Sequence, residues 1–364
     1  MPYRLTGQEA AFIISDSGAR ALVCDAERAS VLREVRDQLP AVADAAFIVD
    51  AEASLAQDLL PGAVSLEAAI ERCAGASFFR EAPPSGGAMV YTSGTTGKPK
   101  GALRDFRGRD RDAMRNYQMG MTMSLGFAPG QRDVHLLCCP LYHSAPPVFA
   151  NLAQVMGGRV VVMERFDPEQ ALATIEREKV SSTFMVPTML RRIVSLPEEV
   201  KQRYDLSSMR RLLTGAAPCP LDLKQKVMAL FPEPCLHEFY GSTETAVVTV
   251  IQPDQHLAHP GSCGLPIRGC EIKVLDEDMK PVPTNDSGLL WVKNPMMTSG
   301  YHNNDSATEK NSHEGFFCVG DVARLDQDGF CYIVDRKKDM IISGGVNIYP
   351  AEVEAELRKH PAVY

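Results

Sequence analysis

The sequence predicts an α/β protein: layered βαβ subdomains on mostly parallel sheets, then a smaller β-rich subdomain and the start of an incomplete C-terminal α+β lid. Two observations carry this. Short apolar runs alternate with capped, amphipathic helical segments up to about residue 260. From Gly261 onward the texture changes to short strands broken by Pro281, Pro283, Asn285 and Gly288. The expected boundaries are 1–260 for the α/β body, 261–337 for the β-rich part, and 338–364 for a hinge with the first elements of the lid. At about 150 residues per unit, 364 residues fit roughly two globular units.

Taken in order, Thr6-Gly7-Gln8-Glu9 has capping-box spacing ahead of the apolar run Ala10–Ile14, with Gly18 as the stop. Ala21–Cys24 reads as a strand, Ala26–Leu39 as a helix with one charged face, and Ala45–Val49 as a second strand, which completes a βαβ unit. Ala88–Val90 is a further short strand. The alternation returns at Gly158–Met163, followed by Asp167-Pro168-Glu169-Gln170, which supplies an acidic N-cap, a first-turn proline and a capping-box glutamine. Ser182–Val186 is the next strand. In the β-rich part, Glu271–Leu275 and Gly288–Val292 are strands; beyond Arg336-Lys337-Lys338, Met340–Ile342 is a strand and Pro350 opens a helix. No repeat or low-complexity tract interrupts the chain.

Composition narrows the function. Hydrophobic residues at 45% and charged residues at 23% fit a folded globular chain and exclude collagen-like or wholly disordered readings. The balance of 38 basic against 46 acidic residues gives a net charge of −8, so no global positive field draws in nucleic acid or an anionic membrane. Any phosphate must be held locally. Ten cysteines without a CxxC pair fit reduced thiols and a cytoplasmic protein. No apolar run reaches the length of a membrane span, and Met1–Thr6 lacks a signal peptide's apolar core. Oligomeric state is not legible.

The chemistry begins at Tyr91-Thr92-Ser93-Gly94-Thr95-Thr96-Gly97-Lys98-Pro99-Lys100-Gly101. Glycines let backbone N–H groups approach phosphate oxygens, hydroxyls donate hydrogen bonds, and lysines supply point charge, so the stretch suits a polyphosphate. It is not a Walker A loop, because Lys98 precedes proline where that motif needs a hydroxyl. The bland alternative is a surface turn. Asp254, His256, His259 and Cys263 lack an ordered zinc spacing and are rejected as a metal site.

With a second signature, Tyr240-Gly241-Ser242-Thr243-Glu244, the chain resembles the adenylate-forming superfamily, which includes acyl-CoA synthetases, peptide-synthetase adenylation domains and luciferases. Further matches are Gly215-Ala216-Ala217-Pro218, Gly315–Asp321, Asp335-Arg336-Lys337-Lys338 and Ser343–Pro350. The resemblance implies ATP, Mg2+ and coenzyme A as cofactor and co-substrates, with a small carboxylic acid activated to acyl-AMP and then acyl-CoA. It implies that Thr92 to Lys98 and Lys100 hold the phosphates, and that Thr243 contacts the α-phosphate. Glu244 matches the metal-ligand position, with a solvated helix-start glutamate as the bland reading. Tyr240 with Gly215–Pro218 resembles the adenine slot, to which Glu238, Phe239, Gly241 and Ser242 belong by position; Tyr240 could instead be plain core. Asp321 is implied as the ribose acceptor, against an exposed turn aspartate, and Arg336 as a ribose or phosphate partner. His143 matches a position near the acyl carboxylate, where a structural histidine is the equal alternative. Lys338 matches the hinge, and Gly344-Gly345 the glycine pair that lines a pantetheine tunnel.

The pattern also breaks. The family's lid lysine, which contacts the reacting carboxylate, has no counterpart before Tyr364, and the first α/β layer begins part-way, so the chain reads as truncated at both ends with impaired activity. Arg104-Asp105 stands where the family often has Thr-His. A peptide-synthetase domain usually carries an aspartate for the amino group near this strand, and Glu238 is an ambiguous stand-in. The small or apolar residues expected around the acid, His143, Val186, Gly215, Ala216 and Gly241, favour a hydrophobic monocarboxylic acid. The alternatives are loading of a carrier protein and, from another class, an inactive nucleotide-binding remnant.

Overall fold

The structure is a computed structural model that describes every residue except 2–3, 40–45, 61, 76–85, 93–98, 129, 338, 340, 344–345, 349, 358–359 and 361–364. It divides into two units, residues 1–107 with 299–305, and residues 108–298 with 306–364.

The first unit opens on helix Gly7–Asp16, whose capping box forms: the Thr6 N–H donates to Glu9 Oε2 at 2.8 Å and the Glu9 N–H donates to Thr6 Oγ1 at 3.4 Å. Ala21–Asp25, Ala46–Asp50 and Val64–Ser65 make a parallel sheet in that order. The helix between the first two strands ends at Arg33, short of the expected Leu39, because Val35 leaves the helical backbone region (φ −116°, ψ 15°) and turns with Leu39 into the core. A separate antiparallel sheet joins Gly87–Thr92 to Lys100–Asp105, with Thr92 opposite Lys100, and adds Gly300–Tyr301 on the far side.

The second unit is built on a seven-stranded sheet. Arg159–Val162, Val134–Leu137, Ser182–Phe184, Arg211–Thr214 and Leu236–Ser242 run parallel in that spatial order, and Ala246–Ile251 and Leu265–Pro266 continue it antiparallel. The inner strands Ser182–Phe184 and Arg211–Thr214 are buried at every residue, polar ones included, as cover on both faces of a parallel sheet requires. Helix Arg111–Ser124 precedes the first of the sheet's strands in sequence, and helices Ala145–Val155, Pro168–Glu178, Pro187–Val194 and Leu221–Leu230 lie between them. Phe149, Phe184 and Phe239 meet at ring-centroid distances of 5.2–5.6 Å in the main core, with Leu136, Leu172, Ile175, Leu212 and Leu236 in the same cluster. Asp167 caps its helix by accepting the Gln170 N–H at 2.9 Å. Just before the first residues of the parallel strands, buried Asp133 accepts from Ser181 Oγ at 2.7 Å and Arg210 at 2.9 Å, and pairs with Arg211.

The rest of the second unit is the β-rich part. Ser312–His313, Phe316–Phe317, Gly288–Lys293, Asp321–Leu325 and Cys331–Arg336 form an antiparallel sheet, with Glu271–Leu275 also paired to Gly288–Lys293. A hairpin of Ile341–Ser343 and Val346–Ile348 and the helix Pro350–Leu357 follow. Among the described residues, no helix is long and apolar enough to cross a membrane.

Candidate functional site

The second unit gathers most of the candidate residues along one edge. His143 follows strand Val134–Leu137, Val186 follows Ser182–Phe184, Gly215–Pro218 follow Arg211–Thr214, and Tyr240–Glu244 end or follow Leu236–Ser242. All four segments leave the carboxyl ends of parallel neighbours in one sheet, which is where open α/β sheets bind their ligands. Asp133 and its arginines sit at the opposite end of those strands.

Backbone shape makes the first part of the site. A Cβ on Gly215 would lie 2.6 Å from the Phe239 carbonyl oxygen, and one on Gly241 would lie 2.0 Å from the Ala246 carbonyl oxygen, so both positions need a bare backbone. Ala216 holds a left-handed φ of 65°, a strained conformation that the turn around it must support. Ala216, Ala217 and Pro218 are exposed beyond buried Gly215 and offer an open edge.

Tyr240 is half-buried, and its hydroxyl donates to Asp321 Oδ2 at 2.6 Å. Burial, and then the Asp321 carboxylate, push the phenol well above its ordinary pKa, so it remains a donor. Asp321 opens strand Asp321–Leu325 and is 6% exposed, which removes the reading of an exposed turn residue. Its other oxygen, Oδ1, lies 3.3 Å from Nε of exposed Arg336. Each carboxylate oxygen keeps a second lone pair, so the pair is engaged without being saturated.

Thr243, Glu244 and Thr245 form the loop of an antiparallel hairpin closed by Ser242 opposite Ala246. Glu244 is 8% exposed at this tip, which replaces the expected alternative of a solvated helix-start glutamate. Ser242 Oγ accepts the N–H groups of Glu244 at 3.2 Å and Thr245 at 3.0 Å. Thr243 Oγ1 lies 3.3 Å from Ser144 Oγ, which ties the signature hairpin to the segment bearing His143. Burial holds the exposed-edged His143 below its ordinary pKa, so its ring is neutral at pH 7, and it packs against Tyr142 at a centroid distance of 4.3 Å with the rings tilted by 46°.

Glu238 does not face an open slot. It is buried, paired with Lys224 of helix Leu221–Leu230, and burial pushes its carboxyl above the ordinary range against the pull of that lysine. Phe239 points to the opposite face of the strand, into the aromatic core.

In the first unit, Thr92 and Lys100 face each other across the hairpin neck, with Thr92 Oγ1 3.5 Å from the Lys100 carbonyl oxygen and Lys100 Nζ 5.4 Å from the Tyr301 ring. Tyr91 donates to Asp16 at 2.6 Å. The expected phosphate-loop residues Ser93, Gly94, Thr95, Thr96, Gly97 and Lys98 lie outside the described residues, as do Lys338, Gly344 and Gly345.

The donor set fits a hard cation held by a single carboxylate. Glu244 offers oxygen donors at a buried turn, and magnesium with a nucleotide takes one or two protein carboxylates. Among the described residues no three His, Cys, Asp or Glu side chains form a metal-binding group. Sequence reasoning missed Ser144, Lys224, Asn294 and Thr298, all of which act through contacts distant in sequence.

A family model described as AMP-binding enzyme matches residues 1–302. The chain is 32% identical over 364 residues to a medium/long-chain fatty-acid–CoA ligase of Mycobacterium tuberculosis, covering 97% of this chain and 60% of that one. It is 37% identical over 277 residues to a feruloyl-CoA synthase of Amycolatopsis, covering 76% and 54%. Among solved structures, the O-succinylbenzoate coenzyme A synthetase of Bacillus subtilis in complex with ATP and magnesium superposes with a TM-score of 0.77 at 30% identity, covering 100% of this chain and 69% of that one. The chain thus spans 54–60% of the length of these two curated relatives.

Proposed function

Since the chain belongs to the family of AMP-binding enzymes, we propose that its site binds ATP with magnesium and activates a hydrophobic monocarboxylic acid, first to an acyl adenylate and then to an acyl-CoA thioester. The observation that carries this reading is the edge of the central sheet, where Gly215–Pro218, Tyr240, Thr243, Glu244 and Asp321 collect the groups a nucleotide needs. Gly215 to Pro218 and Tyr240 flank adenine, Asp321 accepts from the ribose hydroxyls, and Thr243 meets the α-phosphate. The assignment of Thr92 to Lys98 and Lys100 to the outer phosphates rests on the sequence resemblance. Magnesium at Glu244 supplies charge neutralisation for the phosphates.

Carboxylate oxygen attacks the α-phosphorus and pyrophosphate leaves; the coenzyme A sulfur then attacks the acyl carbon and AMP leaves with the bonding pair. A neutral His143 and a half-buried Val186, which follow two neighbouring strands of the sheet, suit an uncharged acyl body, with the imidazole able to accept or donate one hydrogen bond to the carboxyl group. The pairing of Glu238 with Lys224 argues against an amino-acid substrate, because that carboxylate already has its cation. Arg336, Lys338 and the glycine pair Gly344-Gly345 belong in this reading to the hinge and the thiol's route.

The test is calorimetric titration of the chain with ATP, with and without magnesium, followed by acid-dependent exchange of labelled pyrophosphate into ATP across fatty, alicyclic and aryl acids. Magnesium-dependent ATP binding, and tighter binding of a non-hydrolysable acyl-adenylate analogue than of AMP, are expected. Absence of any magnesium-dependent nucleotide binding would replace this reading with that of an inactive remnant.

A further inference from the structure

A three-residue hairpin tip ordinarily leaves its carbonyls to water. Here Glu244 and Thr245 are buried, Thr245 completely, and both carbonyls are taken by one strap, residues 294–298, that leaves strand Gly288–Lys293. The Thr298 N–H donates to the Glu244 carbonyl at 2.6 Å, and Asn294 Nδ2 donates to the Thr245 carbonyl at 2.8 Å. Asn294 Oδ1 at the same time accepts the Met296 N–H at 2.9 Å. Arg109 clamps the strap from outside by donating to the Pro295 and Met297 carbonyls at 2.8 and 2.9 Å.

We propose that Asn294 is a positioning residue that fixes the Thr243–Thr245 turn, and with it the Glu244 carboxylate, for magnesium–ATP. The inference rests on the reading of Glu244 as the metal's carboxylate. Thr298 contributes its backbone N–H to the Glu244 carbonyl. Asn294 works through its side chain, and only a carboxamide of this length donates to one carbonyl while accepting from an N–H two residues on. Without that donation the Thr245 carbonyl is buried and unpaired, and the three-residue loop must shift to find another donor. A small displacement of a metal-holding carboxylate is costly because a magnesium site tolerates little departure from its geometry.

The experiment measures ATP binding by the 364-residue chain, with magnesium varied and separately in EDTA, for the wild type, Asn294→Ala, Asn294→Asp, Asn294→Ser and Glu244→Gln. Asn294→Asp is the diagnostic variant, since it keeps the acceptor for Met296 and loses the donor to Thr245. Loss of one net hydrogen bond predicts a half-saturating magnesium concentration raised about five- to tenfold in all three Asn294 variants, with ATP affinity in EDTA within about twofold of the wild type. Wild-type magnesium dependence in any Asn294 variant that folds would overturn the inference, as would affinity lost equally with and without the metal. If the wild type ignores magnesium and Glu244→Gln changes nothing, the ligase reading falls and takes the inference with it. A magnesium-dependent wild type and a magnesium-indifferent Glu244→Gln, beside unaltered Asn294 variants, would overturn the inference alone.

Discussion

Replacing Lys224 with methionine should expose how much the buried Lys224–Glu238 ion pair is worth. Lys224 is 1% exposed and Glu238 is buried beside it, so the substitution leaves a carboxylate in the interior with the Cys219 N–H as a remaining donor and no cation. Breaking a buried pair from one side costs about 3–5 kcal/mol, because the surviving charge keeps its desolvation penalty and loses its compensation. Replacing both residues, Lys224→Met with Glu238→Gln, removes both charges and should recover most of that loss. The chain's only tryptophan, Trp291, is buried in the same unit, so its fluorescence in urea follows the relevant unfolding. The pH dependence fixes the cause. Glu238 already lies above the ordinary carboxylate range, and loss of Lys224 raises it further. Between the ordinary and raised values the folded state binds more protons than the unfolded state, so stability falls as pH rises through that window and is fully present below it. The deficit of Lys224→Met against the wild type should therefore shrink from pH 8 towards pH 5. A loss under about 1 kcal/mol, or a deficit that does not change with pH, would refute the idea that an uncompensated charge is the penalty.

Three further outcomes follow from the same geometry. Burial holds His135 and His256 at about 4, so the unfolded chain binds more protons between pH 6.5 and 4 and stability drops on acidification through that window, by up to about 3 kcal/mol per ring; His256→Gln, whose amide can still donate to the Leu236 carbonyl, should flatten the urea-midpoint profile. Tyr240→Phe removes a donor 2.6 Å from a buried carboxylate and should cost about 1.5–3 kcal/mol in urea unfolding, with ATP binding weakened in calorimetry because Asp321 loses its orientation. Gly215→Ala places a methyl 2.6 Å from the Phe239 carbonyl oxygen and should force the Gly215–Pro218 turn outward, with ATP affinity falling at least tenfold while circular dichroism retains the fold.

What was legible in the sequence was local. The Thr6–Glu9 cap, the Asp167 cap and the alternation of strands and helices announce themselves within a few residues, because capping and periodicity are short-range effects. The signature Tyr240–Glu244 was legible as a pattern, although its shape was not: the glutamate sits in a hairpin loop where a helix start was the alternative. Lys224 looked like any helical lysine, since nothing in Leu221–Leu230 says which face meets Glu238. Asn294 carries no signal in its own neighbourhood, because its partner lies 49 residues away.

The strand Leu236–Ser242 shows why the site and the core cannot be separated. Alternation of side chains sends His237 and Phe239 to one face and Glu238 and Tyr240 to the other. Phe239 packs on Phe149 and Phe184, which fixes the strand's height in the sheet. Its carbonyl then closes on Gly215, Glu238 is held by the helix that follows Gly215–Pro218, and Tyr240 reaches Asp321. A change of one residue in register would exchange the two faces, put Tyr240 among the phenylalanines and carry the Glu244 turn away from the strap that satisfies its carbonyls. Aromatic packing on one side of this strand therefore supplies the precision that the polar contacts on its other side need.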